Sequence, residues 1–479
     1  MGGLSLTALQ IFTIERNLSE ILHAIRAVRN AHVPVNRFPP EILSTVLEYR
    51  TNEWDLIDAT HVCRYWRSVL VSSPRLWTCF SFKFNPDLDR TLTYIRRSKS
   101  APIDVSLNID LSRSPEVLSY LAPRIAETRS LILQGIHGAH VASSLSCNPA
   151  PILQHLELYS REGSDRLPND FLGQQAPSLR SVSFNGICPT FESPFPLPNL
   201  TEFSLYLPGG AGSVRMNALF RFFSDSPLLQ KICVSVYSQT TQDFSVERVV
   251  TLESLVELDY DCNLGSQVLS FLKLPRVKKL RVTSSPGPKE VQKLADILPH
   301  NGRALLAGAT GMVYCSDDSI LRIDLFGNGV DVSIGTFHTT EYPTAVDWFS
   351  DQACIPFGQI EDLKIGAFPI AAAFPINLFA MENLRVLRIS LWDVQAIEGF
   401  LQLFHPDPVL GVPCRCLQEI ECTYWGLLGP LSRPLISLAK ERREAGHTLE
   451  LISLPVVQEF DRHFVEELRE YVGEVRLEG

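Results

Sequence analysis

Long hydrophobic runs are missing from this 479-residue sequence. No segment approaches the roughly 18 apolar residues that cross a bilayer, so a helical membrane protein is not expected. A secretory leader is not expected either, because Met-Gly-Gly-Leu-Ser-Leu has neither a basic nor an apolar stretch. Leu6 stands where N-myristoylation would need Ser or Thr. Asn17-Leu18-Ser19 and Asn199-Leu200-Thr201 fit the glycosylation pattern, but without a secretory route they carry no meaning. Positive charge is in deficit: 43 Lys and Arg face 53 Asp and Glu, a net charge of −10. That balance excludes a general electrostatic grip on nucleic acid. The 11 cysteines are odd in number, scattered and without a framework, as in reduced thiols of a cytoplasmic or nuclear protein.

Catalytic and ligand-binding signatures are equally scarce. His-Glu-x-x-His and Gly-x-Ser-x-Gly do not occur. Gly209-Gly210-Ala211-Gly212 is followed by no phosphate-loop lysine and by no dinucleotide pattern, so it reads as a loop. Asp317-Asp318 has nothing nearby to complete a cation-binding loop. Cys414-x-Cys416 with Cys422 lacks the second pair a structural zinc site needs. No catalytic residue, metal ligand or cofactor is therefore assigned, and the chain is not expected to be an enzyme.

What is present is a folded composition, 45% hydrophobic and 20% charged, at a length that suggests two to four domains. Residues 1–33 read as one amphipathic helix. Ile11, Ile14, Leu18, Ile21, Ile25 and Val28 are spaced 3, 4, 3, 4, 3 and fall on one stripe. Such a stripe is either a coiled-coil seam or a helix folded onto its own protein. Its shortness against three or four heptads favours the second. Pro34 ends the segment.

Residues 34–82 form a second, compact unit. Pro39-Pro40-Glu41-Ile42-Leu43 starts a helix with proline in the first turn, where no amide donor is missed. Ile42, Leu43, Val46 and Leu47 recur at helical spacing. Thr51-Asn52-Glu53 reads as a turn, and Leu56 and Ile57 lead into a second helix. Val62 to Leu70 reads as a third, with Val62, Trp66 and Val69 on one face and Ser72-Ser73-Pro74 as the stop.

From Pro102 onward the texture changes to short alternating segments. Five share the form Pro-x-φ-x-x-φ-x-φ, φ being apolar: Pro151 before Leu153, Leu156 and Leu158; then Pro177, Pro198, Pro227 and Pro275 with their own apolar triplets. The core returns without proline at Leu255, Ile320, Ile360, Leu384, Leu417 and Leu449. Between Leu153 and Val277 the starts lie 26, 21, 29, 26 and 22 residues apart, and later ones widen. Periods of about 20–29 residues mark stacked leucine-rich-repeat units, each a strand plus a return. Residues 83–479 are thus expected to form an irregular leucine-rich-repeat-like solenoid with a parallel concave sheet. Pro288–Leu298 reads as one of its inserted helices. The overall expectation is an α/β chain, with a three-helix unit ahead of the solenoid.

The residues of the compact unit resemble a known family. Pro39-Pro-Glu-Ile-Leu43, Asp58-Ala-Thr-His-Val-Cys-Arg-Tyr-Trp-Arg67 and Pro74-Arg-Leu-Trp77 together resemble the F-box, in the form common in fungal F-box-like proteins. Tyr94 to Leu107 resembles the segment that those proteins carry next to the F-box. Glu48-Tyr49-Arg50 departs from the pattern, which often has a further leucine there.

The resemblance implies that Pro39, Ile42, Leu43, Val46, Leu47, Leu56, Val62 and Leu70 include contacts to a Skp-type adaptor, and through it to a cullin. It also implies that Trp66 holds the helices together. The implied role is substrate receptor of a ubiquitin ligase. The alternative is a repeat-based protein-binding scaffold tethered to the adaptor without ligase function. An unknown target protein would meet residues that alternate with the buried ones on the sheet: Tyr159, Tyr206, Glu257, Asp259, Lys279, Arg281, Arg388 and Trp392. Neither nucleic acid nor membrane is expected as a partner.

Overall fold

The computed structural model describes residues 7–49, 53–82, 88–109, 114–160, 165–168, 171–190, 197–209, 214–237, 249–262, 266–284, 298–316, 320–337, 355–366, 378–390, 394–423, 431–455 and 462–478. The chain divides into two compact units. One holds residues 1–162 and 167–180, the other 163–166 and 181–479.

In the first unit, helix α1 (Ala8–Ala31) opens on a capping box. Thr7 Oγ1 accepts from the Gln10 amide at 3.4 Å, and Gln10 Oε1 accepts from the Thr7 amide at 2.9 Å. A 3-10 turn comes next at Pro34–Arg37, then α2 (Pro40–Glu48), α3 (Glu53–Val62) and α4 (Arg64–Ser72). Proline stands at the first turn of α2, as its fixed φ and missing amide allow.

The stretch from Val62 to Leu70 is not one helix, contrary to the sequence reading. Cys63 is extended and caps α4, its sulfur accepting from the Trp66 amide at 3.5 Å. Val62 thereby ends α3, and does not share a helix face with Trp66 and Val69.

Among the described residues, four parallel strands complete this unit: β1 (Cys79–Phe82), β2 (Ile103–Asn108), β3 (Thr128–Ile136) and β4 (His155–Ser160), paired in that order. Trp77, wholly buried, joins the helices to the strands. Its Nε1 donates to the Leu70 carbonyl at 2.8 Å, its ring meets Tyr94 edge-on at 4.8 Å, and the Arg97 guanidinium lies 4.4 Å over it.

The second unit carries β5 (Ser181–Asn185), β6 (Glu202–Leu207), β7 (Lys231–Val236), β8 (Glu257–Cys262) and β9 (Lys279–Ser284), parallel and in sequence order. Three strands then run in reverse spatial order: β12 (Val330–Phe337) lies beside β9, then β11 (Ile320–Gly327), then β10 (Gly311–Ser316). Parallel pairing resumes from β10 through β13 (Asp362–Gly366), β14 (Val386–Ser390), β15 (Glu419–Cys422), β16 (Leu451–Pro455) and β17 (Glu474–Glu478).

The sheet is thus mostly parallel. The expectation of a wholly parallel sheet fails at β11, which is antiparallel to both neighbours, so Ile320, Ile323 and Leu325 do not start a repeat. The cause is local: Asn328-Gly329 closes a two-residue hairpin with both φ positive, at 47° and 82°. Asn-Gly is the sequence most suited to that turn. A Gly329→Val change is expected to cost about 1–3 kcal/mol through the left-handed backbone it must adopt. Denaturant unfolding of the two proteins would measure the difference.

The fixed proline of the repeats has a physical explanation. In four of the five proline-led units the first apolar residue donates its amide to the carbonyl three residues upstream: Leu153 to Ala150 and Leu179 to Ala176 at 3.2 Å, Leu200 to Leu197 at 3.0 Å, Leu229 to Ser226 at 3.2 Å. Pro151, Pro177, Pro198 and Pro227 occupy the second position of these β-turns, where φ near −65° is required. The same turn closes without proline at Leu255, Leu384 and Leu417. Each turn drops a leucine into the interior and starts a strand whose alternate residues also point inward. Leu153, Leu156 and Leu158, like Leu200, Phe203 and Leu205, are all buried. Phe203 meets Phe222 and Phe223 of the helix Met216–Ser224 at 5.1 and 5.8 Å, so that return covers the apolar face. The Pro288–Leu298 helix expectation falls almost entirely outside the described residues.

Candidate functional site: an outward apolar stripe on a small helical unit

Helix α2 is apolar over more than one face. Leu43 and Leu47 point inward and form a core with Ala59, Val69 and Leu70, against which Val35, Leu56, Tyr65, Trp66 and Leu76 pack. Ile42, Val46 and Tyr49, spaced 4 and 3, make a second stripe about a third of a turn away and point to solvent at 49%, 51% and 84% exposure. A nine-residue helix has no stability of its own, so the inner stripe holds it in place and the outer one is left exposed. Phe38, Val62 and Val71 add exposed apolar surface on the neighbouring elements.

Polar contacts fix this surface. Trp66 Nε1 donates to Asn36 Oδ1 at 2.5 Å, and the Asn36 side-chain nitrogen donates to the Asn30 carbonyl at 2.7 Å, linking α4 through the 3-10 turn to the end of α1. Tyr65 donates its hydroxyl to the Phe38 carbonyl at 2.5 Å, which sets the entry to α2. Arg67 Nε donates to the Thr60 carbonyl at 2.9 Å, and its Nη2 lies 3.3 Å from His61 Nδ1. These bonds span α3, α4 and the segment before α2, so the exposed stripe rests on a braced support.

The eight residues expected to face an adaptor therefore divide. Pro39, Ile42, Val46 and Val62 are exposed, and Leu56 is half-buried. Leu43, Leu47 and Leu70 are core, at 5% exposure or less, and a partner does not reach them in this conformation. Helical spacing alone shows that α2 is apolar, but not which stripe its neighbours cover. Tyr49, Phe38 and Val71 were not singled out from the sequence. Tyr49 could have been, since it continues the Ile42–Val46 spacing.

Seven of the eight expected target-facing residues lie on strands, at the alternate positions. Tyr159 on β4 belongs to the first unit and is exposed. In the second unit Tyr206 is exposed on β6, its ring 6.2 Å from Tyr237. Glu257 on β8 lies opposite Lys231 of β7 and Lys279 of β9, at 3.3 and 3.2 Å. Asp259 pairs with Arg281 at 3.3 Å. Arg388 on β14 binds Asp362 on one side and Glu421 on the other, the latter at 2.8 Å. These charges alternate in sign from strand to strand and pair across the sheet; Glu257 between two lysines leaves one positive charge over, and Arg388 between two carboxylates leaves one negative charge over. Trp392 lies outside the described residues.

The environment of Glu257 gives a testable pH effect. Burial alone would raise its carboxyl, but hydrogen bonds from Lys279 and Lys231 outweigh that and hold it below the usual glutamate value. A depressed carboxyl contributes stability above its ordinary range and loses it as pH falls through the folded-state value. The wild type is expected to lose stability on acidification more steeply than Glu257→Gln. The difference at neutral pH should not exceed about 1 kcal/mol, because the pair is partly solvated. Urea titrations across the acid limb would measure it.

Among the described residues no group of three or more His, Cys, Asp or Glu is placed to hold a metal ion. Burial pushes the thiols of Cys414 and Cys422 up to about 12, so both are protonated and packed as small apolar groups. No described helix is long and apolar enough to cross a membrane.

The geometry is that of a small helical unit with a braced, exposed apolar stripe. The F-box-like family model matches residues 35–83, so that segment, about a tenth of the chain, is an F-box-like domain. No curated protein matches the chain.

Proposed function

We propose that this chain is a substrate receptor of a Skp–cullin–F-box type ubiquitin ligase, with no chemistry of its own. The observation that carries the reading is the second apolar stripe of α2, Ile42, Val46 and Tyr49, exposed on an F-box-like domain whose core is already filled by Leu43, Leu47 and Leu70. Apolar surface that cannot be hidden within a unit this small is stabilised by a partner. In this reading Pro39, Ile42, Val46, Val62 and the edge of Leu56 meet a Skp-type adaptor, which links the chain to a cullin. The protein acts in the cytoplasm or nucleus.

The strands after residue 83 act as an irregular solenoid that presents the target. The β-turn that recurs at Leu153, Leu179, Leu200, Leu229, Leu255, Leu384 and Leu417 and the in-register pairing of successive strands support stacked repeat units. Tyr159, Tyr206, Glu257, Asp259, Lys279, Arg281, Arg388 and Trp392 are the proposed target-facing residues. Of these, the two tyrosines are the stronger candidates. Exposed rings offer contact area at little entropy cost, whereas the paired charges must first be separated from each other. Holding a target beside a charged ubiquitin-conjugating enzyme raises its effective concentration, and that is the whole mechanism.

Affinity purification of the tagged full chain, with mass spectrometry of the eluate, tests the proposal. A Skp-type adaptor and a cullin are expected together, with a bound protein whose turnover slows when the chain is removed. Adaptor without cullin would leave only a tethered scaffold. Recovery of neither would overturn the reading.

A further inference from the structure

Helix α1 carries an apolar seam that no described residue of its own chain covers. Ile11, Leu18 and Ile25 alternate with Ile14, Ile21 and Val28 as three successive a–d pairs, a seam just short of three full heptads. All six are between 45% and 62% exposed, and α1 buries none of its residues. Among the described residues nothing packs on this stripe, whereas the sequence reading expected the helix to fold onto its own protein. Its main contact is with the 3-10 turn Pro34–Arg37, which leaves the rest of its length to solvent.

We propose that α1 assembles copies of this chain into a parallel helical bundle, with three or four copies favoured over two. The charge pattern fits the same helix as partner. Arg16 and Glu20 pair at 3.2 Å on the face away from the seam. The g positions Gln10, Asn17, Ala24 and Ala31 are uncharged, and the e positions are Glu15, Leu22 and Arg29. In parallel register these meet as Gln10–Glu15, Asn17–Leu22 and Ala24–Arg29, so no like charges oppose one another.

The area is sufficient. Six half-exposed aliphatic side chains and Leu22, at roughly 80 Å² each, amount to about 550 Å² per helix. Two helices together clear the roughly 1,000 Å² expected of a specific interface. The stoichiometry comes from side-chain shape. Isoleucine at both a and d, and leucine at a with isoleucine at d, disfavour the two-stranded form. Leu22 widens the seam toward e, which a third or fourth helix would cover. The assembly would carry several F-box-like domains on one body and would raise avidity for any partner with more than one site.

Sedimentation equilibrium of the purified full chain, without adaptor, tests this. The expected mass is three or four times 53.6 kDa. A Leu18→Asn/Ile21→Asn variant is expected to fall to one chain mass with unchanged melting temperature, because neither side chain is buried within the protein. Ser19→Asp, off the seam, should leave the mass unchanged. A milder Ile21→Ala change gives a second readout, a dissociation midpoint shifted at least tenfold toward higher concentration. A mass of two chains would keep the self-association and overturn the stoichiometry. A monomeric wild type, or an oligomer indifferent to the seam substitutions, would overturn the proposal.

Discussion

An Ile42→Asp/Val46→Asp chain is expected to lose all detectable capture of a Skp-type adaptor while keeping the melting temperature of the wild type within a few degrees. Both side chains are about half exposed and belong to the outer stripe of α2, so their replacement removes nothing from the core. Two carboxylates placed in the centre of an apolar interface would be desolvated without partners, which costs several kcal/mol and therefore a hundredfold or more in affinity. The companion change Leu43→Asp/Leu47→Asp would not separate binding from folding. Both leucines are buried, and charges there unfold the unit directly. Surface-immobilised adaptor and the two purified variants, each checked by circular dichroism, distinguish the cases. Adaptor binding that survives the outer-stripe change would refute the assignment of that surface.

The second large effect is expected at Trp77. Its ring is wholly buried, its indole N–H satisfies the Leu70 carbonyl near the end of α4, and it packs against Tyr94 and under Arg97. Trp77→Ala removes the largest side chain between the helices and the strands, and the cost should be about 3–5 kcal/mol. Trp77→Phe keeps most of the apolar contact but leaves the Leu70 carbonyl without its donor, which should cost about 1–3 kcal/mol. The ordering alanine, then phenylalanine, then wild type in chemical denaturation is the expected outcome. Equal losses for the two variants would mean that the hydrogen bond, and not the packing, dominates. Burial pulls the Arg97 guanidinium down from its usual value, but a guanidinium is not deprotonated in proteins, so the cation over the ring does not make this effect pH-dependent.

Both results depend on a distinction the sequence does not contain. In α2 the residues Ile42, Leu43, Val46 and Leu47 are chemically alike, and periodicity assigns all four to apolar positions. Which pair turns inward was decided by where α3 and α4 lie, and that is set by long-range contacts such as Trp66 to Asn36 and Tyr65 to Phe38. The same holds for α1. Its 3-4 spacing was legible, but whether its stripe met the protein or solvent depended on what stood opposite, and no described residue does. On the sheet, alternation placed Glu257, Lys279 and Arg388 on the outward face. Parallel register then set Glu257 between two lysines and Arg388 between two carboxylates, so each meets partners of opposite sign on both adjacent strands.

Local chemistry was sufficient by itself wherever one residue type had one physical solution. Proline before an apolar residue specified the turn at Pro151, Pro177, Pro198 and Pro227, and the Pro39-Pro40 pair specified the start of α2. Asn328-Gly329 carries the same kind of information about the reversed strand β11, which apolar alternation conceals. What the sequence determined about this protein is therefore its grammar: an apolar helix, a short helical domain, and strands that begin at fixed turns. Only the tertiary structure decided which apolar stripes are hidden and which charges are paired. Burial and ion pairing are properties of two surfaces, and a linear pattern describes only one of them.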